Sequence, residues 1–117
     1  MNSVVLIGRM VYEPELKQTS NGKNYISTRI AVSRNDKNKT TDFINIRLWE
    51  NQAVFVSNYF HKGDPISIQG KLQTESYDKQ DGTKVTDTFV LVNEVNFVPQ
   101  KANSQVPSAN QGLPFEV

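Results

Sequence analysis

The chain has 117 residues, of which 37% are apolar, and this length suits one small folded domain rather than two. It has no cysteine, which excludes disulfide frameworks, zinc knuckles, iron–sulfur ligation and thiol catalysis. With a single histidine, His61, a metal site would need mostly carboxylate ligands, so we expect no metal, no cofactor and no enzymatic activity. The formal charge is only +1, whereas a nucleic-acid-binding domain is usually strongly basic.

The charge is unevenly distributed along the chain. Residues 1–50 carry eight Lys or Arg and five acids, whereas residues 63–98 carry three Lys and six acids. A near-neutral total therefore conceals a basic first half that can still face a polyanion. No secretory signal and no apolar run near the roughly 18 residues of a membrane span are visible. We therefore expect a soluble cytoplasmic protein with no membrane partner.

The composition changes near Pro99. Apolar and aromatic residues recur throughout residues 1–99, but the polar stretch that follows cannot bury enough apolar surface to fold. We therefore predict one domain over residues 1–99 and a flexible C-terminal tail over residues 100–117.

Most of the predicted domain has the pattern of β-strands. Strands are predicted over residues 3–11, 25–34 and 42–49, and a hairpin over residues 65–77 and 83–92 turns at Asp81–Gly82. Residues 95–98 add a short edge strand in this prediction. Close backbone approach or a bend explains the glycines inside two strands, Gly8 and Gly70.

One segment, residues 51–61, has a helical pattern instead. Ala53, Val56 and Phe60 recur at the spacing of one helix face, with Asn51 as the predicted N-cap and Gly63 as the C-terminal stop. The order is three strands, one helix and two strands. This order predicts an all-β fold, a five-stranded OB-fold barrel with one short helix between strands 3 and 4.

The strand over residues 42–49 carries the strongest functional signal. Alternation along a strand gives one face, suited to a core, to Ile44, Ile46 and Leu48. The opposite face carries Phe43, Asn45, Arg47 and Trp49. Large aromatics facing outward beside a guanidinium are costly unless a ligand or a partner covers them.

Single-stranded nucleic acid would cover this face well, because bases stack on aromatic rings and cations follow the phosphates. The predicted stacking residues are Phe43, Trp49 and Tyr77. The predicted phosphate-binding cations are Arg9, Arg29, Arg34, Arg47, Lys62 and Lys71.

Each of these residues also admits an interpretation without nucleic acid. Trp49 could lie half-buried beneath the helix, Phe43 could fill a subunit interface, and Tyr77 could brace the hairpin. The cations other than Arg47 could be solvated surface charges, and His61 is best explained as a helix-end residue. The aromatic face could also meet a partner protein, as in a protein-interaction OB module, and an enzyme is the third class of function.

Several stretches together resemble the bacterial single-stranded DNA-binding proteins, a homotetrameric OB-fold family. The matching stretches are residues 2–10 (NSVVLIGRM), 13–16 (EPEL), 21–22 (NG), 42–49 (DFINIRLW), 58–63 (NYFHKG) and 70–74 (GKLQT). The likeness covers about residues 1–98 and is nearest to versions from Gram-positive bacteria or their phages.

The resemblance implies a non-catalytic protein that coats single-stranded DNA in replication, recombination, repair or DNA uptake. It places base-stacking aromatics at Phe43, Trp49 and Tyr77 and a recurrent basic residue at Lys62. It also implies a homotetramer in which the first strand pairs subunits through Ser3, Val4, Val5 and Leu6.

The sequence departs from the family pattern in three places. The loop over residues 35–41 is short and has no aromatic residue, and Gln73 and Glu75 stand where many members have basic residues. Both changes should weaken binding or alter its salt dependence. The tail keeps the tip Leu113, Pro114 and Phe115 without the preceding acids, and two residues follow it. We therefore expect weakened recruitment of replication and repair proteins, as in an accessory, phage or plasmid version.

Overall fold

The computed structural model describes residues 1–99, in which it places six strands and one helix. In chain order they are β1 (Val4–Met10), β2 (Lys17–Gln18), β3 (Asn24–Ser33), β4 (Thr41–Trp49), α1 (Glu50–Tyr59), β5 (Pro65–Asp78) and β6 (Lys84–Phe97). The five long strands and the helix confirm the predicted order of elements. The extra strand, β2, has only two residues and pairs with the start of β3. The predicted tail, with its tip, lies outside the described residues.

The strand pairings close into a ring. The sheet order is β1-β5-β6-β4-β3-β2, and a further pairing of β1 with β3 joins the two sides. That closure is short, with Arg9 opposite Ala31 and Met10 opposite Ile30. The contact between β4 and β6 is also short and is the parallel one. The other pairings are antiparallel.

The interior of the ring is filled with aliphatic side chains, and α1 packs against β3, β4 and β6. Ala53, Val56 and Phe60 are buried with them, which confirms the predicted apolar face of the helix. No helix within residues 1–99 is long and apolar enough to span a membrane. The most deeply buried larger side chains are Ile26, Ile30, Ile46, Leu48, Ile66, Ile68 and Val90.

The start of the helix differs from the prediction. The N-cap position belongs to Trp49 rather than Asn51, and no side chain caps the helix there. Glu50 takes a left-handed backbone conformation, with φ of 51°, that turns the chain sharply from β4 into α1. Its carboxylate Oε1 accepts the backbone N–H of Asn24 at 3.1 Å, which ties the turn to the start of β3. Asn51, the polar residue predicted as the cap, is therefore the second residue of the helix.

The end of the helix also comes earlier than predicted. The last helical residue is Tyr59, and Phe60 donates its backbone N–H to the carbonyl of Val56 at 3.0 Å. Gly63, with φ of 90°, then lets the chain turn toward β5, as expected of a stop residue.

The predicted separate strand over residues 95–98 is wrong, because β6 runs on without a break to Phe97. A bulge between Gln69 and Gly70 in the register allows this continuation: Gln69 pairs with Glu94, whereas Gly70 pairs with Val92. The bulge bends the strand locally, next to the pairing of Val90 and Leu91 with β4.

The outer part of this hairpin extends as a two-stranded ribbon. Alternation along β5 would put Leu72 on the core-facing side with Ile66 and Ile68, but 49% of its surface is exposed. Alternation does not bury Leu72, because the side chains on both sides of β5 are exposed from Lys71 to Asp78.

The two strand glycines lie where neighbouring backbones come close, as expected. A Cβ atom at Gly8 would lie 2.5 Å from the carbonyl oxygen of Ala31, where β1 joins β3. A Cβ atom at Gly70 would overlap the carbonyl oxygen of Leu91 in β6.

Gly70→Ala should therefore destabilise the fold, by about 1–3 kcal/mol, because the added methyl meets backbone rather than a side chain that can move. Thermal unfolding followed by circular dichroism measures the loss. Thr74→Ala, on the exposed ribbon of the same strand, is the control and should change the midpoint far less. An unchanged midpoint for Gly70→Ala would show that β5 and β6 can separate there without cost.

Candidate nucleic-acid interface

The two faces of β4 differ as the alternation predicts. Ile46 and Leu48 are fully buried, and Ile44 packs against the same core. On the opposite face 57% of Phe43 is exposed, and Asn45 is exposed as well. The strand therefore presents an aromatic and polar surface on the outside of the ring.

The register between β3 and β4 extends this surface over both strands. Residues directly opposite each other in an antiparallel pair point to the same face. The outward pairs are Tyr25 with Trp49, Ser27 with Arg47, Arg29 with Asn45, and Ala31 with Phe43. We call the outer surface of β3, β4, β5 and β6 the aromatic face.

Trp49 lies directly opposite Tyr25 on β3, an aromatic residue that was not among the predicted binding residues. Their ring centroids lie 5.3 Å apart with planes tilted by 33°. Both side chains are half-buried, so each keeps part of its ring open to solvent. Trp49 is also the residue directly before α1, and the expectation that its side chain is half-buried is confirmed, with Tyr25 as its ring contact. The signal that could have found Tyr25 is the pairing of β3 with β4, which sets Tyr25 directly opposite the outward-facing Trp49.

Tyr77 lies on the aromatic face but far along the ribbon from Phe43 and Trp49. It stands opposite Val85, and 47% of its surface is exposed. Lys71 lies on the same side of β5, opposite Leu91, which in turn is the register partner of Arg47. The structure thus brings Arg47 and Lys71 onto neighbouring strands and leaves Tyr77 at the outer end.

Arg47 lies at the centre of the aromatic face and has two partners. Its Nη2 and Nη1 atoms donate to the carboxylate of Glu75 at 3.0 and 3.3 Å. Its Cζ atom lies 3.9 Å from the centroid of the Phe89 ring. The hydrogen bonds from Arg47, and then its charge, lower the pKa of Glu75 below its usual value of 4.5. The carboxylate therefore stays ionised and neutralises the guanidinium.

Asn45 links the other polar groups of this face. Arg29 donates from Nε to the Oδ1 atom of Asn45 at 3.0 Å, and the Nδ2 atom of Asn45 donates to the carbonyl of Thr88 at 3.3 Å. Beside these bonds lies a cavity of about 190 Å³, where β4 and β6 diverge beyond their short pairing. Its lining includes Asn45, Arg47, Asp87 and Phe89.

Arg34 is not on the aromatic face. Arg34 follows β3 directly, and Asp42 lies opposite Val32 near the start of β4. Both share the parity of the core-facing residues of their strands. The Nε and Nη2 atoms of Arg34 both bond the carboxylate of Asp42, with the shortest contact at 2.9 Å. These bonds and the charge of Arg34 lower the pKa of Asp42, so the pair is neutral at ordinary pH.

The C-terminal end of β1, at Arg9 and Met10, is bonded to Gly63, the residue after Lys62. Arg9 lies opposite Ala31, which separates it from Phe43 in the same row across the sheet. The Nη1 atom of Arg9 donates to the carbonyl of Gly63 at 3.0 Å. The backbone N–H of Lys62 donates to Glu13 at 3.0 Å. Within residues 1–99 neither Lys62 nor Lys71 has a side-chain ion pair.

His61 also binds Glu13, which the sequence prediction missed. Its Nδ1 atom lies 2.8 Å from the carboxylate, so Glu13 fixes the segment after α1 to the segment after β1. The two residues are distant in sequence, and no local pattern marks such a pair. Among residues 1–99 no group of three or more His, Cys, Asp or Glu side chains could hold a metal ion.

The outer edge of β1 has the features of an oligomer contact. Residues 4–8 pair with β5 on one side, while β3 reaches only Arg9 and Met10 on the other. Val5 is 64% exposed and Ile7 is 59% exposed, whereas Val4 and Leu6 pack against the core. The predicted interface segment therefore combines an unpaired backbone edge with outward apolar side chains.

The His61–Glu13 contact predicts a measurable titration. Hydrogen bonding to Glu13, and then its charge, raise the pKa of His61 above 6.5. A raised folded pKa means that the pair stabilises the fold below pH 6.5 while Glu13 is ionised, and that this contribution is lost as the pH rises through the folded pKa. NMR titration of the His61 ring should give a value above 6.5, and Glu13→Gln should return it toward 6.5. Glu15→Gln is the control; if it shifts His61 as much, the cause is general charge rather than this contact.

Comparison with known proteins agrees with this geometry. A family model described as the single-strand binding protein family matches residues 1–98. Single-stranded DNA-binding protein 2 of Staphylococcus aureus is 38% identical over 90% of this chain and 78% of its own length. The Clostridium acetobutylicum protein of that same name is 37% identical over 99% of this chain and 90% of its own. A single-stranded DNA-binding protein of Bacillus cereus is 40% identical over 84% of this chain, which spans 60% of that relative.

The family model covers nearly all of the described residues, and the relatives exceed 30% identity over most of their lengths. The OB-fold expected from the order of elements is the fold of this family. The chain belongs to the single-strand binding protein family.

Proposed function

We propose that the chain binds single-stranded DNA without strong sequence preference through the aromatic face, and that it acts without catalysis or cofactor. The observation that carries this proposal is the uncovered Phe43 ring on an outer strand face that also carries Trp49 and Arg29. A folded domain gains nothing from such rings in water, whereas a nucleobase covers them. Membership of the single-strand binding protein family supports the same function.

The proposed stacking residues are Phe43, Trp49 and Tyr77. Every base has a π-face, so stacking on these rings tolerates any sequence and contributes about 1–3 kcal/mol per base. Tyr25, in contact with Trp49, adds a second ring at that end of the face. Because Tyr77 lies far from the other two rings, a bound DNA strand would follow a long path across β4, β6 and β5.

The proposed phosphate-binding cations differ in whether an acid of the protein already neutralises them. Lys62 and Lys71 have no ion pair among the described residues, and Arg9 and Arg29 bond neutral oxygens. Arg34 is neutralised by Asp42 and lies off the aromatic face, so it can meet a phosphate only at the margin of the site. Since two of the six named cations are held by acid partners, stacking should supply a large share of the affinity.

We further propose a homotetramer in which the outer edge of β1 pairs subunits through Ser3, Val4, Val5 and Leu6. The unpaired edge and the exposed Val5 support this, because an exposed apolar strand edge invites another strand. The setting would be the cytoplasm, in replication, recombination, repair or DNA uptake. Contact with replication and repair proteins through Leu113, Pro114 and Phe115 would be weakened, because the tip has no acids before it.

Phe43→Ala and Trp49→Ala should each weaken binding of oligo-dT by about 1–3 kcal/mol, with similar losses for mixed sequences. Fluorescence anisotropy of a labelled oligonucleotide measures this for both variants. Tyr59→Ala is the matched control, since Tyr59 is equally exposed but packs against Phe55 on α1.

Two outcomes would contradict the proposal. If the natural protein failed to bind oligo-dT at low salt, the aromatic face would have to serve a partner protein instead. If Tyr59→Ala weakened binding as much as Phe43→Ala, the loss would reflect stability rather than stacking.

Val5→Lys should shift the assembly from tetramer toward smaller species, because a charge at the paired edge opposes its own copy across the interface. Light scattering reports the mass directly. Thr74→Lys, which introduces the same charge on the exposed ribbon, should leave the mass unchanged. A mass unaffected by Val5→Lys would place the subunit contact elsewhere.

A further inference from the structure

Phe89 is buried in an unexpected place. Only 6% of its surface is exposed, yet it does not belong to the core inside the ring. Its neighbours Val90 and Val92 point into the core, so alternation directs Phe89 to the outside. Its register partner on β5 is the exposed Gln73, on the aromatic face. A ring on the outer surface is therefore covered from outside.

The guanidinium of Arg47 contributes to that cover. Its Cζ atom stands 3.9 Å from the centre of the Phe89 ring, the distance of a cation–π contact. The Arg47 side chain keeps 25% of its own surface exposed. The guanidinium carbon therefore lies over the ring, and part of the Arg47 side chain stays open to solvent.

Glu75 fixes the orientation of this group. Two hydrogen bonds, at 3.0 and 3.3 Å, run from the terminal nitrogens of Arg47 to the two carboxylate oxygens. A bidentate pair of this kind holds the guanidinium plane and cancels its charge. Both terminal nitrogens, which a phosphate would otherwise engage, are thus already bonded to an anion.

We infer that Arg47 is a platform on which a base stacks, held flat between Phe89 below and Glu75 at its edge, rather than a phosphate ligand. The inference rests on the proposed function, since it requires DNA on the aromatic face. Guanidinium planes accept bases as aromatic rings do. Arg47 lies on the same strand face as Trp49 and Phe43, so the platform continues their row along β4.

The platform and the phosphate ligand differ in salt dependence. Each phosphate neutralised on a single strand contributes roughly 0.7 to the slope of log affinity against log salt concentration. A guanidinium that keeps its partner Glu75 releases no counterion from the DNA. Its removal should lower affinity and leave the slope as it was, whereas removal of a phosphate ligand should flatten the slope.

The first test replaces Arg47 and measures oligo-dT binding over a series of salt concentrations, with an oligonucleotide of roughly eight nucleotides to occupy one subunit. Arg47→Lys keeps the charge and loses the plane; it should weaken binding by roughly tenfold with an unchanged slope. Arg47→Met also keeps Phe89 covered and should behave alike. If Arg47→Lys binds as tightly as the natural protein, or Arg47→Met flattens the slope by about 0.7, Arg47 is a phosphate ligand and the inference fails.

The second test releases Arg47 from its partner. Glu75→Gln removes the competing charge with little change of shape, so the freed guanidinium should take a phosphate and steepen the slope by about 0.7. Glu94→Gln makes the same charge change on the part of β6 past the bulge, where Glu94 bonds Asn96, and should leave the slope unchanged. An equal response of the two variants, or no response of Glu75→Gln, overturns the inference.

Oligonucleotide binding by the natural protein distinguishes a failure of this inference from a failure of the proposed function. If the natural protein does not bind the oligonucleotide, the proposed function itself fails. If it binds, and Phe43→Ala weakens it while the Arg47 variants do not, the aromatic face is the site and the platform alone is rejected. Thermal unfolding of each variant confirms that the binding is measured on folded protein.

Discussion

Strand β4 has one face in the apolar core and the other in solvent, and the rest of the structure depends on how its residues are divided between the two faces. Its inner residues, Ile46 and Leu48, fill a ring closed by short contacts with β6 and by the pairing of β1 with β3. Because alternation has a period of two, a shift of register by one residue would exchange the faces and place the aromatics inside. The rigid core therefore holds Phe43 and Trp49 outward in a fixed row, which is what a stacking surface requires.

The charges on that surface are largely balanced within the protein. Glu75 neutralises Arg47 and Asp42 neutralises Arg34, each through a bidentate contact. Partner acids that hold cations in place also reduce what those cations can gain from phosphates. The near-neutral net charge of +1 is thus seen on and beside the site as well, where ion pairs neutralise two of the cations.

Much of the fold and part of the site could be predicted from sequence, because both depend on local alternation. The faces of β4 and the buried Ala53, Val56 and Phe60 follow from spacing alone. Contacts between distant residues could not be predicted. His61 meets Glu13 where two loops come together, and the contact of Arg47 with Phe89 depends on the strand register. The cap at Asn51 and the edge strand at 95–98 failed for a related reason, since a left-handed Glu50 and a β-bulge leave no clear local pattern.

The central claim is that stacking on the β4 row, rather than charge, carries the binding of single-stranded DNA. The most direct measurement is the quenching of Trp49 fluorescence by an oligo-dT of roughly eight nucleotides at several salt concentrations. We predict strong quenching with a slope of about 3 or less, because only the four cations free of acid partners gain from phosphates. A slope of about 4 or more, as expected if all six cations bound phosphates, or no quenching at low salt, would contradict the claim.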